Sequence, residues 1–106
     1  MQPSKNDWKL FREKITIWQE AYMEKLVYEY SLLLNSDLPS SIKFWELEKR
    51  LKMDKNKPGV ILSLRKQEMA IDIFRLIKDG TIGLEELEDF SEELKNYIKR
   101  MLENYK

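Results

Sequence analysis

The side chains able to do chemistry in this 106-residue chain are carboxylates, lysines, arginines, tyrosines and serines, because histidine and cysteine are both absent. The commonest general base and the commonest thiol nucleophile are therefore missing, and disulfides and thiolate metal sites go with them. The densest carboxylate group is Asp79, Glu85, Glu86, Glu88, Asp89, Glu92 and Glu93, with no basic residue before Lys95. On a helix Glu85 would neighbour Asp89, and Glu88 would neighbour Glu92, close enough to share a cation or a proton. Di-metal carboxylate bundles add Glu-x-x-His from facing helices, which this chain cannot supply. The run reads as a solvated acidic face.

A second candidate is Asp54-Lys55-Asn56-Lys57-Pro58-Gly59-Val60-Ile61, which opens like a calcium-binding EF-hand loop. Oxygen donors stand at its first and third positions, glycine at the sixth and an aliphatic residue at the eighth. The fifth position is Pro58, however, and the twelfth is Arg65, a cation where a bidentate glutamate is required. A Pro-Gly turn explains these residues, and no metal is expected.

The third candidate is basic. Between Lys43 and Lys66 there are eight cations and three carboxylates, a net of +5. Lys49, Arg50, Lys52, Lys55 and Lys57 are the candidate contacts to an anionic partner, with Phe44 and Trp45 beside them. Phosphates could meet this loop and the N–H groups opening the helix after it. Against that, the loop exceeds the usual helix-turn-helix length, and the following helix is too apolar to lie in a groove. Nucleic-acid binding is therefore the alternative reading. No Gly-rich phosphate loop, dinucleotide fingerprint or nucleophile elbow is present, so neither an enzyme nor a cofactor is expected.

These groups need a scaffold, and composition describes it. Nineteen basic and nineteen acidic residues cancel, and 42% of the chain is hydrophobic with three Gly and three Pro. That is the balance of a soluble helical protein with no global pull towards nucleic acid or an anionic membrane. Met1–Lys14 contains no signal-peptide apolar region, and no segment approaches the roughly 18 apolar residues of a membrane span. A cytoplasmic protein without a membrane partner is expected.

Read in order, the chain offers a flexible lead over 1–6 and Asp7 as N-cap of a helix from Trp8 to about Leu34. Trp8, Phe11, Ile15, Trp18, Tyr22, Leu26 and Leu33 form its main apolar stripe. A second stripe runs through Leu10, Ile17, Ala21, Tyr28 and Leu32. The favoured cover for it is the C-terminal helix. The sharper reading makes Leu10, Ile17, Tyr28 and Leu32 a candidate interaction surface, a homodimer seam along helix 8–34. Leu38-Pro39 ends the helix, and Ser40 or Ser41 is expected to cap the next, Ile42 to about Lys52, with Phe44, Leu47 and Leu51 as its apolar edge and Glu46 paired to Arg50. Met53–Gly59 is a loop.

Val60 to Lys78 reads as a helix apolar on most sides, with Arg65, Glu68, Asp72 and Arg75 in the narrow polar remainder. Such a helix belongs at the centre of the fold. A short strand over 60–64 is the local alternative. Gly80 should end the helix in a left-handed conformation. Gly83 with Glu86 then forms a capping box, Ile82 and Leu87 a hydrophobic staple, and Ser91 restarts or tightens the last helix after Phe90. Leu94, Tyr97, Ile98, Met101, Leu102 and Tyr105 share one face of that helix.

The run Leu76-Ile77-Lys78-Asp79-Gly80-Thr81-Ile82-Gly83-Leu84-Glu85-Glu86-Leu87 resembles the helical hairpin of SHOCT-type domains. In those a helix ends at glycine and an acidic turn opens the next; Gly83 stands where they usually have Thr or Ser. The likeness extends over Ile73 to Leu94, about a fifth of the chain, is one of local structure, and implies no activity. The fold expected over 1–106 is an all-α, single-domain bundle of four to five helices with a buried central helix at about 60–78. The function expected is association with a protein partner or with a second copy.

Overall fold

The computed structural model describes residues 2–105. Its helices are α1 (Lys5–Leu34), α2 (Ser40–Asp54), α3 (Met69–Lys78) and α4 (Glu92–Asn104), with short 3₁₀ turns at Lys66–Glu68 and Leu84–Leu87. No strand occurs among the described residues, so an all-α bundle forms, with four helices. None of these is long and apolar enough to cross a membrane.

α1 begins before the expected Trp8. Ser4 is its N-cap and accepts from the Asp7 N–H at 3.0 Å, which places Asp7 inside the first turn rather than at the cap. The expected lead over 1–6 shortens accordingly; Met1 lies outside the described residues. Asp7 is only 1% exposed. Its carboxylate accepts from the Ser91 backbone N–H at 2.9 Å and from Ser91 Oγ at 2.5 Å. Ser91 Oγ in turn accepts from the Leu94 N–H at 3.2 Å, capping α4. One buried carboxylate thus joins the N-termini of α1 and α4, where it also meets the positive ends of both helix dipoles.

The core lies between the first half of α1, α3 and α4. Phe11, Ile15 and Trp18 pack on Met69, Ile73 and Leu76, with Leu94 and Ile98 closing the other side. The connection from α3 to α4 adds Ile82, Leu87 and Phe90, the last stacked on Trp18 at 6.3 Å between centroids. The expected staple residues are both buried there. Gly80 has φ +77°, and the Gly80 and Thr81 N–H groups donate to Ile77 O at 3.0 Å and Leu76 O at 2.9 Å. This is the Schellman ending that a left-handed glycine permits.

Further expectations along the chain need correction. The central helix covers Met69–Lys78 and not Val60–Lys78. After the Pro58-Gly59 turn the Val60 and Ile61 N–H groups both donate to Lys57 O, and Leu64 then takes φ +56°, which breaks any helix through it. Branched Val60 and Ile61 resist helix, and Ser63 turns its hydroxyl to Glu68 at 3.0 Å instead of supporting one. Residues 60–64 are neither helix nor strand. Asp72, expected in the narrow polar remainder of the central helix, is 3% exposed; its Oδ1 lies 3.7 Å from Arg75 and its Oδ2 has no hydrogen-bond partner. Burial raises its pKa, with Arg75 opposing and Glu68 reinforcing the shift. Finally, Gly83 precedes a 3₁₀ turn and no side chain caps it, because Glu86 turns away to accept from Trp18 Nε1 at 3.3 Å.

The body accounts for only part of the chain. The radius of gyration is 16.5 Å with extents of 52 × 29 × 22 Å, against about 13 Å for a compact chain of this size. Thirty residues of α1 span about 45 Å at 1.5 Å per residue, so its second half runs on past the core beside α2.

Candidate functional site

The protruding feature is an α-helical hairpin, here called the arm, made of the second half of α1 and all of α2. Its tip is shaped locally. Asn35 closes α1 through its N–H and its Nδ2, both donating to Ser31 O at 3.0 and 2.9 Å, and Ser36 Oγ donates to Leu33 O at 2.7 Å. Pro39, not Ser40 or Ser41, occupies the N-cap of α2. Its fixed φ of −58° sets the entry, and its carbonyl accepts from the Ile42 and Lys43 N–H groups.

The arm's base is held by polar contacts. Tyr30 Oη donates to Asp54 Oδ2 at 2.5 Å, Lys57 lies 3.6 Å from Asp54 Oδ1, and Gln19 Nε2 donates to Pro58 O at 3.0 Å. Gly59 is pressed on α1, so that a Cβ there would stand 2.6 Å from Tyr22 Cγ and 2.9 Å from Thr81 Oγ1. Burial, then the bond to Asp54, pushes the Tyr30 phenol up to about 12. Burial also raises Tyr22, against the nearby Lys57 cation. Phenols held neutral in this way are hydrogen-bond donors; a tyrosine used as base needs the opposite shift. Asp54, the first residue of the EF-hand-like run, is occupied by Tyr30 and Lys57. Among the described residues no group of three or more His, Cys, Asp or Glu is arranged to hold a metal.

Packing within the arm is thin. Leu26 and Leu33 of α1 are buried beneath α2, yet no residue of α2 is buried at all. Phe44 and Trp45 are 64% and 66% exposed and meet edge-to-face at 5.0 Å, and Leu34, Leu38, Ile42, Leu51 and Met53 are exposed around them. A groove of about 170 Å³ is lined by Met23, Leu26, Val27, Leu51 and Val60, together with the polar Tyr30, Asp54 and Lys55. Phe44, Leu47 and Leu51 were expected to form the apolar edge of α2; Leu47 is half-buried, and Phe44 and Leu51 are exposed. Apolar residues lie on two sides of this short helix, and one neighbour cannot cover them all.

Of the candidate interaction residues on α1, Leu10 is half-buried against the core and leaves the surface. Ile17, Tyr28 and Leu32 are 68%, 63% and 56% exposed, and Ala21 between them is exposed as well. With these residues exposed, the expected cover of the stripe by α4 does not form.

The candidate cations divide. Arg50 pairs with Glu46 at 3.3 Å, as expected, Lys52 with Glu48 at 3.1 Å and Lys57 with Asp54, while Lys43, Lys49 and Lys55 have no carboxylate within 4 Å among the described residues. Three of the seven residues of the acidic run have partners, and the run stays largely exposed. Glu86 holds Trp18, Asp89 lies 3.8 Å from Lys14, and Glu92 lies 2.9 Å from Lys95, which lowers its pKa. The helical spacing expected for Glu85–Asp89 and Glu88–Glu92 does not arise, because α4 starts only at Glu92.

A second concavity, open and about 500 Å³, lies between the loop after α2 and the end of α3. Lys78 Nζ sits 5.6 Å from the ring centroids of Phe74 and Tyr105, and Arg75 and Lys57 also line it. Both of those cations are already matched, to Asp72 and Asp54. Compared with known proteins, the chain matches no family model, no curated protein and no solved structure. The class of protein is thus set by fold and surface alone: a four-helix protein whose body is the first half of α1 with α3 and α4, and whose exposed arm is the rest of α1 with α2.

Proposed function

We propose that this protein works by protein–protein association, as an interaction or adaptor module in the cytoplasm, with the α1–α2 arm as its docking surface. One observation carries the reading: α2 runs for 15 residues without burying one, while Phe44 and Trp45 stay about two-thirds exposed. A soluble protein rarely leaves contiguous apolar area open unless something covers it, and aromatic residues dominate such covered surfaces. Trp45 and Phe44 are the anchors, and Ile42 and Met53 extend the patch.

Self-association is the second form of the same reading. The row Ile17, Ala21, Tyr28 and Leu32 on α1 is the face a homodimer would use, and its exposure favours that use. Nucleic-acid binding through Lys49, Arg50, Lys52, Lys55 and Lys57 ranks below both, since three of these five cations are matched by acids in the arm itself. The test compares wild type with Phe44→Ser/Trp45→Ser as bait in the native host, identifying captured proteins by mass spectrometry. A partner held by wild type and lost by the variant supports docking at the arm; identical capture by both removes it. Light scattering after gel filtration decides the dimer, which Ile17→Glu/Tyr28→Glu should dissociate.

A further inference from the structure

We propose that the partner of the arm presents an acidic amphipathic helix, laid along the outer row of α2 formed by Ile42, Trp45, Lys49, Lys52 and Met53. The inference rests on the docking role proposed above and adds the chemistry of the partner. Charge carries it. From Ser40 to Lys57 there are six cations and three carboxylates, a net of +3. All three carboxylates are taken, Glu46 by Arg50, Glu48 by Lys52 and Asp54 by Lys57. The outer row therefore offers no free acid to a partner's cation, and it presents Lys49 unmatched and Lys52 with a side chain 71% exposed.

The apolar members of the row decide which anion fits. Ile42, Trp45 and Met53 are 51%, 66% and 60% exposed and lie one to two turns apart along the helix. Aliphatic Ile42 and Met53 gain nothing from a phosphodiester backbone, whereas an apolar helix face buries them. The row is about three turns long, the length over which a partner helix interleaves its side chains with those of another. A second arm is a poor occupant, because it would set +3 against +3 across a desolvated contact. An acidic helix supplies both apolar area and a carboxylate for the unmatched Lys49, and the net positive charge of the arm raises its association rate and excludes basic competitors.

The test uses the intact protein, isotopically labelled, and two synthetic helical peptides of about three heptads sharing one leucine stripe. One peptide has glutamate at all its charged positions and the other lysine. The acidic peptide should bind about tenfold or more tightly than the basic one, weaken as salt is added, and shift the resonances of Ile42, Trp45, Lys49 and Met53. Lys49→Glu, at a cation with no carboxylate within 4 Å among the described residues, should shrink that preference while circular dichroism shows the helices intact. Equal or tighter binding of the basic peptide at the same residues overturns the acidic partner and leaves the arm as a docking face. No shift at the arm with either peptide overturns both readings. Displacement of the acidic peptide from the row by oligouridylate at matched charge would assign it to nucleic acid instead.

Discussion

Asp7→Ala is the perturbation for which the structure gives the clearest magnitude. The Asp7 carboxylate, 1% exposed, accepts two hydrogen bonds from Ser91, at 2.9 Å from the backbone N–H and 2.5 Å from Oγ. A hydrogen bond to a charged group contributes about 1.5–3 kcal/mol. The carboxylate also sits in the first turn of α1, where a negative charge adds about 0.3–1 kcal/mol. Ser91 is half-buried, so water can reach part of what Asp7 vacates, and the lower end of the sum, about 3 kcal/mol, is expected. Near the transition that corresponds to a fall in melting temperature of roughly 12–20 °C. Ser91→Ala should lose about 1–2 kcal/mol, chiefly the α4 cap. The double variant should be less damaged than the sum by about 1 kcal/mol or more, since both singles break the same contact. Guanidinium denaturation followed by circular dichroism measures all four corners of this cycle. A loss below about 1 kcal/mol for Asp7→Ala, with additive effects, would refute the clasp.

Three further outcomes follow from the geometry. Gly59→Ala drives a methyl into Tyr22 and Thr81 and should destabilise by about 1–3 kcal/mol, with hydrogen exchange accelerating first in α2 and the 55–60 loop. Asp72→Asn should melt higher than wild type at pH 7, because burial raises the Asp72 pKa and the ionised form is the one penalised in the folded state. The sign is fixed by linkage: the penalty is full above the folded pKa and vanishes below the unfolded value of about 3.9, so the gap between variant and wild type should close as pH falls through that window. A constant gap from pH 7 to pH 3 would exclude Asp72 as its source. Ile73→Asp places a charge at a fully buried core position and should abolish the near-ultraviolet circular dichroism; a folded, soluble variant would show that α3 is not central.

Periodicity made much of the body legible. Phe11, Ile15 and Trp18 recur at three and four, as do Leu94, Ile98 and Met101, and both sets face the core. Local chemistry made two boundaries legible, the left-handed Gly80 and the Ser91 cap. What failed was long-range. Val60, Leu62 and Leu64 fit a helical wheel, but a wheel carries no knowledge that the Pro58-Gly59 turn must dock on Tyr22 and consume those residues in reaching the core. Asp7 and Ser91 are 84 residues apart, and no local signal joins them. Glu86 had two possible partners, and tertiary packing chose Trp18 over the cap. The arm was hardest, since apolarity reads as burial in a one-dimensional pattern, and α2 carries apolar residues on two sides, Phe44, Leu47 and Leu51 on one and Ile42 and Trp45 on the other.

Aromatics that are spare to the fold cost little when truncated, and the unfolding free energy of Phe44→Ala/Trp45→Ala measures that cost for the arm. With about a third of each side chain covered, the pair should contribute about 1–2 kcal/mol, including their mutual contact. A buried aromatic truncated to alanine loses about 3–5 kcal/mol on its own, the result expected for Phe11→Ala. A double variant within about 2 kcal/mol of wild type agrees with a surface reserved for a partner; a loss of about 6 kcal/mol or more would make Phe44 and Trp45 structural and contradict the account.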